Sequence, residues 1–125
     1  MKRLLLILAL FLSLNIYADD PPAVATQMNN ARFEVIQNPK VRKYTFFLDK
    51  VEGKVYQMVQ SYGGRTKWQE MEVYPKDTQT YTESTYQIYI SGLMTSDTFL
   101  INTKTGRTWM LVKGKDDEIL WEEFY

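Results

Sequence analysis

The chain of 125 residues contains no cysteine and no histidine. It therefore cannot form a disulfide, a Cys/His zinc site, a Cys–His nucleophile pair or a Ser-His-Asp triad. Fifteen Lys and Arg residues balance fifteen Asp and Glu residues, so no basic excess is available to neutralise nucleic-acid phosphates. The glycine patterns of nucleotide-binding loops are also absent. These absences exclude most of the familiar sets of catalytic residues. We expect no cofactor and no nucleic-acid partner.

The first twenty residues have the layout of a secretory signal peptide. Lys2 and Arg3 precede a mostly apolar run over residues 4–14, and the small residue Ala18 precedes two aspartates. The run is shorter than the roughly 20 apolar residues that a membrane-spanning helix needs. We therefore predict a signal peptide over residues 1–18 that is cleaved on export, with no transmembrane span. A lipid anchor on the new N-terminus would need a cysteine, so none is expected. The predicted location is the periplasm or the extracellular space.

Residues 19–31 combine two prolines with small and amide side chains and show no helical or strand periodicity. We predict a flexible lead-in there, followed by a single β domain over residues 32–125. A domain of this length buries enough surface for one core. Because no disulfide supplements that core, its stability has to come from packing, within the chain or against a partner.

An internal repeat without gaps organises the domain. A shift of 53 positions aligns residues 33–71 with residues 86–124. Apolar positions coincide throughout the alignment, and Trp68 coincides with Trp121. Agreement over three separate segments argues for the duplication of one structural unit.

Each unit contains four runs rich in β-branched and aromatic residues, which favour strands, and alanine is absent after position 31. The predicted strands cover residues 33–37, 44–49, 54–60 and 67–73 in the first unit and residues 86–90, 98–102, 107–113 and 119–124 in the second. The sequence thus predicts an all-β fold of two duplicated units, each with about four short antiparallel strands, packed as a sandwich or a small closed barrel with pseudo-two-fold symmetry.

The connection between the second and third strands of each unit is typical of a hairpin. Asp49 and Asn102 begin these connections, and such side chains close turns on their own backbone. Gly53 and Gly106 follow four residues later, where a four-residue hairpin loop usually needs a positive φ. We therefore assign these four residues a structural role in the turns.

The second strand of each unit has apolar side chains on both faces. In the first unit, Phe46 and Leu48 point to one side and Phe47 points to the other. A strand of this kind needs cover on both sides. The fourth strands alternate apolar and charged residues instead, so we predict that they are edge strands or half exposed.

The hairpin follows the pattern F-x-[LI]-[DN]-x-x-x-G-[KR]-x-[YW], present as FFLDKVEGKVYQMV and as FLINTKTGRTWMLV. This pattern resembles a recurrent motif of small exported bacterial proteins of uncharacterised function, and each unit is also similar to a blade of a β-propeller. The resemblance implies an architecture and no particular activity. Because a propeller usually has at least about four blades, the likeness implies that closure requires self-association.

Carboxylates are the acid–base candidates that remain once imidazole and thiol are absent. Glu70 and Glu123 stand in identical register in the two units. Glycoside hydrolysis needs two carboxyl groups about 5 to 9.5 Å apart, and Trp68 and Trp121, two residues earlier, are suited to stacking on sugars. This constellation defines one alternative function, a carboxylate-dependent glycan hydrolase. The acidic run over residues 116–118 lacks the loop spacing that organises calcium binding, so we expect no metal site.

Partner binding is the preferred interpretation. The loop over residues 61–67 carries two cations, whereas its counterpart in the second unit is acidic. Tyr62 and Arg65 in this loop are residue types favoured at the centres of protein contacts, and we assign them to partner binding together with Trp68 and Trp121. The predicted function is an exported, non-enzymatic protein-interaction module that binds another envelope or extracellular protein, or itself. A secreted inhibitor or ligand is a further alternative.

Overall fold

The computed structural model describes residues 22–125 and contains ten short strands in two sheets. The strands are β1 (Val24–Ala25), β2 (Phe33–Gln37), β3 (Thr45–Asp49), β4 (Val55–Gln60), β5 (Thr66–Glu70), β6 (Val73–Tyr74), β7 (Tyr86–Ile90), β8 (Thr98–Asn102), β9 (Thr108–Lys113) and β10 (Ile119–Phe124). Two short 3-10 helices, Thr95–Asp97 and Lys115–Asp117, lie in connections. The prediction of an all-β fold is confirmed. The predicted signal peptide lies outside the described residues.

The four-stranded sheet has the order β2-β3-β4-β5, and the six-stranded sheet has the order β1-β7-β8-β9-β10-β6. We refer to β2–β5 as the first meander and to β7–β10 as the second meander. Their ladders have the same registers with an offset of 53 residues. Phe33 pairs with Asp49, for example, and Tyr86 pairs with Asn102, and the following two ladders agree in the same way. The predicted strand bounds agree with these strands to within one residue, except that β5 ends at Glu70.

Two strands of two residues each are not predicted as separate strands, although Val73 of β6 is the last residue of the strand predicted over residues 67–73. β1 pairs with β7, and Thr26 beside it is buried. The expectation of a flexible lead-in is therefore wrong for this part of residues 19–31, because the backbone here extends the edge of β7. β6 pairs in parallel with β10, so β10 is not an edge strand. β5, in contrast, is an edge of its sheet and is exposed along its length.

The core is built from opposite faces of the two meanders. The buried hydrophobic residues on strands of the first meander are Ile36, Phe46, Leu48 and Val55. Those of the second are Tyr86, Ile88, Ile90, Leu100, Trp109, Leu111 and Trp121. All belong to one cluster, in which the ring centroids of Phe46 and Trp121 are 5.5 Å apart. After the shift of 53 residues the two sets do not coincide, because positions that are buried in one meander face outward in the other.

The expected pseudo-two-fold symmetry is therefore wrong. A two-fold axis would bury equivalent positions of the two meanders. Here the face that is buried in the first meander is equivalent to the face that is exposed in the second. The two meanders therefore stack head to tail. Strands such as β3 and β8 permit this because they are apolar on both faces, which allows either face to enter a core.

No helix within residues 22–125 is long and apolar enough to cross a membrane.

Candidate functional site

The β3–β4 and β8–β9 hairpins have matching turns. Oδ1 of Asp49 accepts hydrogen bonds from the backbone N–H groups two and three residues ahead, at 3.0 and 3.1 Å. Oδ1 of Asn102 accepts the equivalent pair at 2.9 and 3.1 Å. The φ angle is 72° at Gly53 and 77° at Gly106, as the sequence pattern predicts. Asparagine and aspartate thus close the same turn in the two meanders.

The outward face of the first meander carries a cluster of aromatic rings. The rings of Phe33, Tyr56 and Trp68 surround that of Phe47, with centroid distances of 5.4, 5.7 and 5.5 Å respectively. Val35 pairs with Phe47 across the ladder and lies on the same face. We call these five side chains the aromatic face. Monomeric proteins rarely expose large contiguous apolar patches unless the patch binds something.

The structure separates the four residues that the sequence assigns to partner binding. Trp68 belongs to the aromatic face. Tyr62 and Arg65 lie at the tip of the β4–β5 hairpin and are exposed. Trp121 is completely buried and contacts Phe46, so its assignment to partner binding is wrong. Its position in the repeat is equivalent to that of Trp68, but the second meander buries the face that the first meander exposes.

Glu70 and Glu123 lie in different places and do not face one common cavity. Glu70 lines a cleft beside the β3–β4 turn, whereas Glu123 lines a separate depression next to Tyr125. Nε and Nη2 of Arg107 donate hydrogen bonds to the Glu123 carboxylate at 3.1 and 2.6 Å. These bonds lower the pKa of Glu123, although desolvation acts in the opposite direction. A carboxylate that is held ionised in this way is unsuited to donating a proton, so the geometry does not favour a glycan hydrolase.

The cleft beside Glu70 has a volume of about 720 Å³ and lies between the β3–β4 turn and residues 76–82. Its buried lining residues include Tyr86, Leu100 and Trp109. At its rim, Arg32 forms ion pairs with Asp49 and Glu52, and Lys54 lies 3.4 Å from Glu52. A small-molecule site usually adds a few polar groups that fix the ligand's orientation. Because Arg32, Glu52 and Lys54 are already paired with one another, this side of the rim offers a ligand fewer unpaired charges, and we rank the cleft below the aromatic face.

The sequence pattern does not single out Asp77. This residue attaches the segment that connects the two meanders to the second meander. Its Oδ2 accepts hydrogen bonds from the Tyr86 hydroxyl at 2.8 Å and from Nδ2 of Asn102 at 2.7 Å. Desolvation raises the pKa of Asp77, but the bonds from Tyr86, the Gln79 N–H and Asn102 outweigh it and hold this pKa below its usual range. Burial, together with Asp77, raises the pKa of Tyr86. In the sequence, Asp77 is marked only as a single aspartate in a polar linker, and that pattern is typical of a turn.

Lys50 is a second residue that sequence reasoning missed. Its side chain is fully buried, and Nζ donates hydrogen bonds to the backbone oxygen of Gln27 at 2.8 Å and to Oδ1 of Asn29 at 2.9 Å. Its backbone oxygen accepts hydrogen bonds from the N–H groups of Thr85 and Tyr86 at 2.7 and 3.0 Å. Lys50 therefore connects the N-terminal segment, the first hairpin and the start of the second meander.

The unfolding free energy is expected to decrease below about pH 4, because Asp49, Asp77 and Glu123 all have a lowered pKa in the folded protein. Such groups bind protons more weakly in the folded state than in the unfolded chain, so their stabilisation is present above the unfolded pKa and is lost as pH falls through the folded pKa. Asp77→Asn should destabilise the protein by about 1 to 3 kcal/mol at pH 7 and flatten the acid dependence. Thermal midpoints measured between pH 2 and pH 7 check both expectations.

Glu83→Gln is the matched control for Asp77→Asn. Glu83 pairs with Lys104 on the surface, where an ion pair contributes only about 0 to 1 kcal/mol. Equal losses in the two variants would contradict the role assigned to Asp77.

No group of three or more acidic side chains within the described part of the chain is placed to hold a metal ion. In comparisons with protein-family models, curated proteins and solved structures, the chain matches none. Among the surfaces of the described residues, the aromatic face is the most distinctive.

Proposed function

We propose that the protein is an exported, non-enzymatic protein-interaction module and that the aromatic face is its binding surface. The observation that carries this proposal is the ring cluster around Phe47, which is packed like a core and is open to solvent on one side. Aromatic rings supply a large apolar area with few rotatable bonds and are enriched where binding energy concentrates. Tyr62 and Arg65, on the same hairpin as Trp68, are additional candidate contacts.

The second meander supports this proposal because its equivalent side chains are covered. Val35 and Trp68 are 55% and 43% exposed, whereas their counterparts Ile88 and Trp121 are both 0% exposed. We infer that the two meanders arose by duplication of one unit. Full burial of one large apolar side chain stabilises a complex by about 1.5 to 3 kcal/mol, so covering several such residues provides enough free energy for specific binding.

Export rests on the pattern of the first twenty residues, with two cations, a short apolar run and Ala18 before an acidic pair. The proposed partner is accordingly another envelope or extracellular protein, or a second copy of the chain. The intact mass of the exported protein should correspond to a chain that begins at Asp19. A membrane-bound species that retains Met1 would contradict this part of the proposal.

Photo-crosslinking at position 68 tests the binding surface. The full chain, produced in its native host with a benzophenone amino acid in place of Trp68, is expected to form a discrete protein adduct on irradiation, because this face is in contact with its partner. Mass spectrometry of the adduct then identifies that partner.

The same photoreactive residue in place of Lys115 is the control. Lys115 is exposed at the tip of the β9–β10 hairpin in the other sheet, and should form no discrete adduct. The proposed function fails if position 68 forms no adduct or if both positions form the same set of adducts.

A further inference from the structure

We propose that the aromatic face binds a second copy of this chain, and that the surface it contacts there is the outward face of the second meander. The contact repeats, between two chains, the packing that already joins the two meanders within one chain. The inference rests on the proposed function and names the partner.

The outward face of the second meander is also apolar. We call Tyr89, Phe99, Ile101 and Phe124 the distal face, because they lie on the side of that sheet that faces away from the core. Tyr89 pairs with Phe99 in the ladder, and the rings of Phe99 and Phe124 are 5.7 Å apart. Tyr89 is 37% exposed and Phe124 is 44% exposed. Both ends of the stacked sheets therefore present apolar side chains to solvent.

The two open faces correspond to the two halves of the internal interface. The counterparts of the distal face in the first meander are Ile36, Phe46, Leu48 and Met71, which are at most 8% exposed and pack in the core. The counterparts of the aromatic face in the second meander supply the other side of that core. A distal face and an aromatic face from two different chains thus offer each other the same kinds of side chain, at the same positions, that already pack together inside one chain.

The loops before β3 and β8 show the same difference in burial between the two meanders. Val41, before β3, packs against the core. Its counterpart Met94, before β8, is one of the exposed large hydrophobic residues. In the proposed contact, Met94 takes the position of Val41 and becomes covered by the neighbouring chain.

Polar contacts of the internal interface also have counterparts. Inside the chain, the Lys50 backbone oxygen accepts hydrogen bonds from the N–H groups of Thr85 and Tyr86. After the shift of 53 residues, the equivalent groups are the backbone oxygen of Thr103 in one copy and the N–H groups of Arg32 and Phe33 in the next. The proposed contact brings these backbone groups together in the same arrangement.

A second copy is favoured over an unrelated partner because the surface that fits the aromatic face is carried by the chain itself. A head-to-tail contact uses two different faces, so it continues until a ring closes or a filament grows. Blade-like sheets usually close at about four to eight blades. With two meanders in each chain, this corresponds to a ring of about two to four copies. Closure would also provide the cover on both faces that β3 and β8 need.

Light scattering of the chain spanning residues 19–125, after size-exclusion chromatography at increasing concentrations, tests self-association. The measured mass is expected to reach a multiple of the single-chain mass. Val35→Glu on the aromatic face and Tyr89→Glu on the distal face should each reduce the mass to that of one chain, because each places a charge in the contact. Lys115→Glu is the control. It changes the net charge of the chain more than either of these variants does, but it lies at a hairpin tip and should leave assembly unchanged.

Mixing the two single-face variants separates head-to-tail binding from a symmetric dimer. Val35→Glu leaves the distal face intact and Tyr89→Glu leaves the aromatic face intact, so an equimolar mixture should form a one-to-one complex and no larger species. Circular dichroism and thermal midpoints of the separate variants check that both fold. If either does not, Val35→Ser and Tyr89→Ser replace them in the same experiment.

Each contrary result has a distinct meaning. A mixture that does not associate, or a Tyr89→Glu variant that still self-associates, overturns the head-to-tail contact. A wild-type chain that remains monomeric while position 68 crosslinks to a different protein overturns self-association and leaves the proposed function standing. Absence of any adduct at position 68, combined with a monomeric chain, overturns both.

Discussion

Gly53→Ala is expected to destabilise the protein by about 2 to 5 kcal/mol, and Gly106→Ala by only about 1 to 2 kcal/mol. Both glycines have a positive φ of similar size, so alanine meets the same backbone strain at the two positions. A Cβ atom on Gly53 would lie 2.7 Å from Cζ of Tyr86, whereas a Cβ atom on Gly106 would have no heavy atom within 4 Å. The difference between the variants therefore measures the close approach of the first hairpin to the second meander.

Urea unfolding at low protein concentration provides both free energies. The Tyr86 ring cannot easily move away, because it is buried and its hydroxyl group bonds to Asp77. Equal losses in the two variants would show that the hairpin and Tyr86 are not packed in this way. In the proposed assembly, Gly106 of one copy approaches Phe33 of the next, so Gly106→Ala should also weaken self-association.

Trp121→Ala is expected to lower the unfolding free energy by about 3 to 5 kcal/mol, the range for truncation of a fully buried aromatic side chain. Trp68→Ala, at the equivalent position of the first meander, should lower it by about 1 to 2 kcal/mol, because Trp68 is only partly covered and loses less buried area. Denaturant unfolding in a Tyr89→Glu background, which is expected to be monomeric and leaves the aromatic face intact, allows the two values to be compared. Similar losses would contradict the assignment of opposite buried faces to the two meanders.

The two tryptophans also separate stability from binding. Trp68→Ala should reduce self-association even though the fold tolerates it, whereas Trp121→Ala should mainly reduce stability. A Trp68→Ala variant that assembles like the wild type would remove this residue from the binding surface.

Much of the local structure was predictable from the sequence. Residues 33–37, 86–90, 98–102 and 119–124 are predicted as strands with the bounds that the structure has. Strand propensity and turn chemistry act over a few residues, which is why the positive φ at Gly53 can be read from the spacing that follows Asp49. The matched spacing of the two units likewise anticipates that their ladders have equivalent registers.

The short strands β1 and β6 were not predictable in the same way. Each consists of two residues and pairs with a strand far away in the sequence, so no periodicity marks it. The buried position of Lys50 has the same origin, since its partners Gln27 and Asn29 are brought to it by the pairing of β1 with β7. The catalytic hypothesis for Glu70 and Glu123 depended on a distance between strands that spacing along the chain does not contain.

The sequence by itself determined that the chain is all-β and where its principal strands and hairpins lie, because these depend on alternation, propensity and turn residues within each segment. Only the tertiary structure decided which face of each meander is buried. β3 and β8 are apolar on both faces, so a period of two cannot choose between the faces. That choice was made when one meander packed on the other, and it placed Trp121 in the core and Trp68 on the surface.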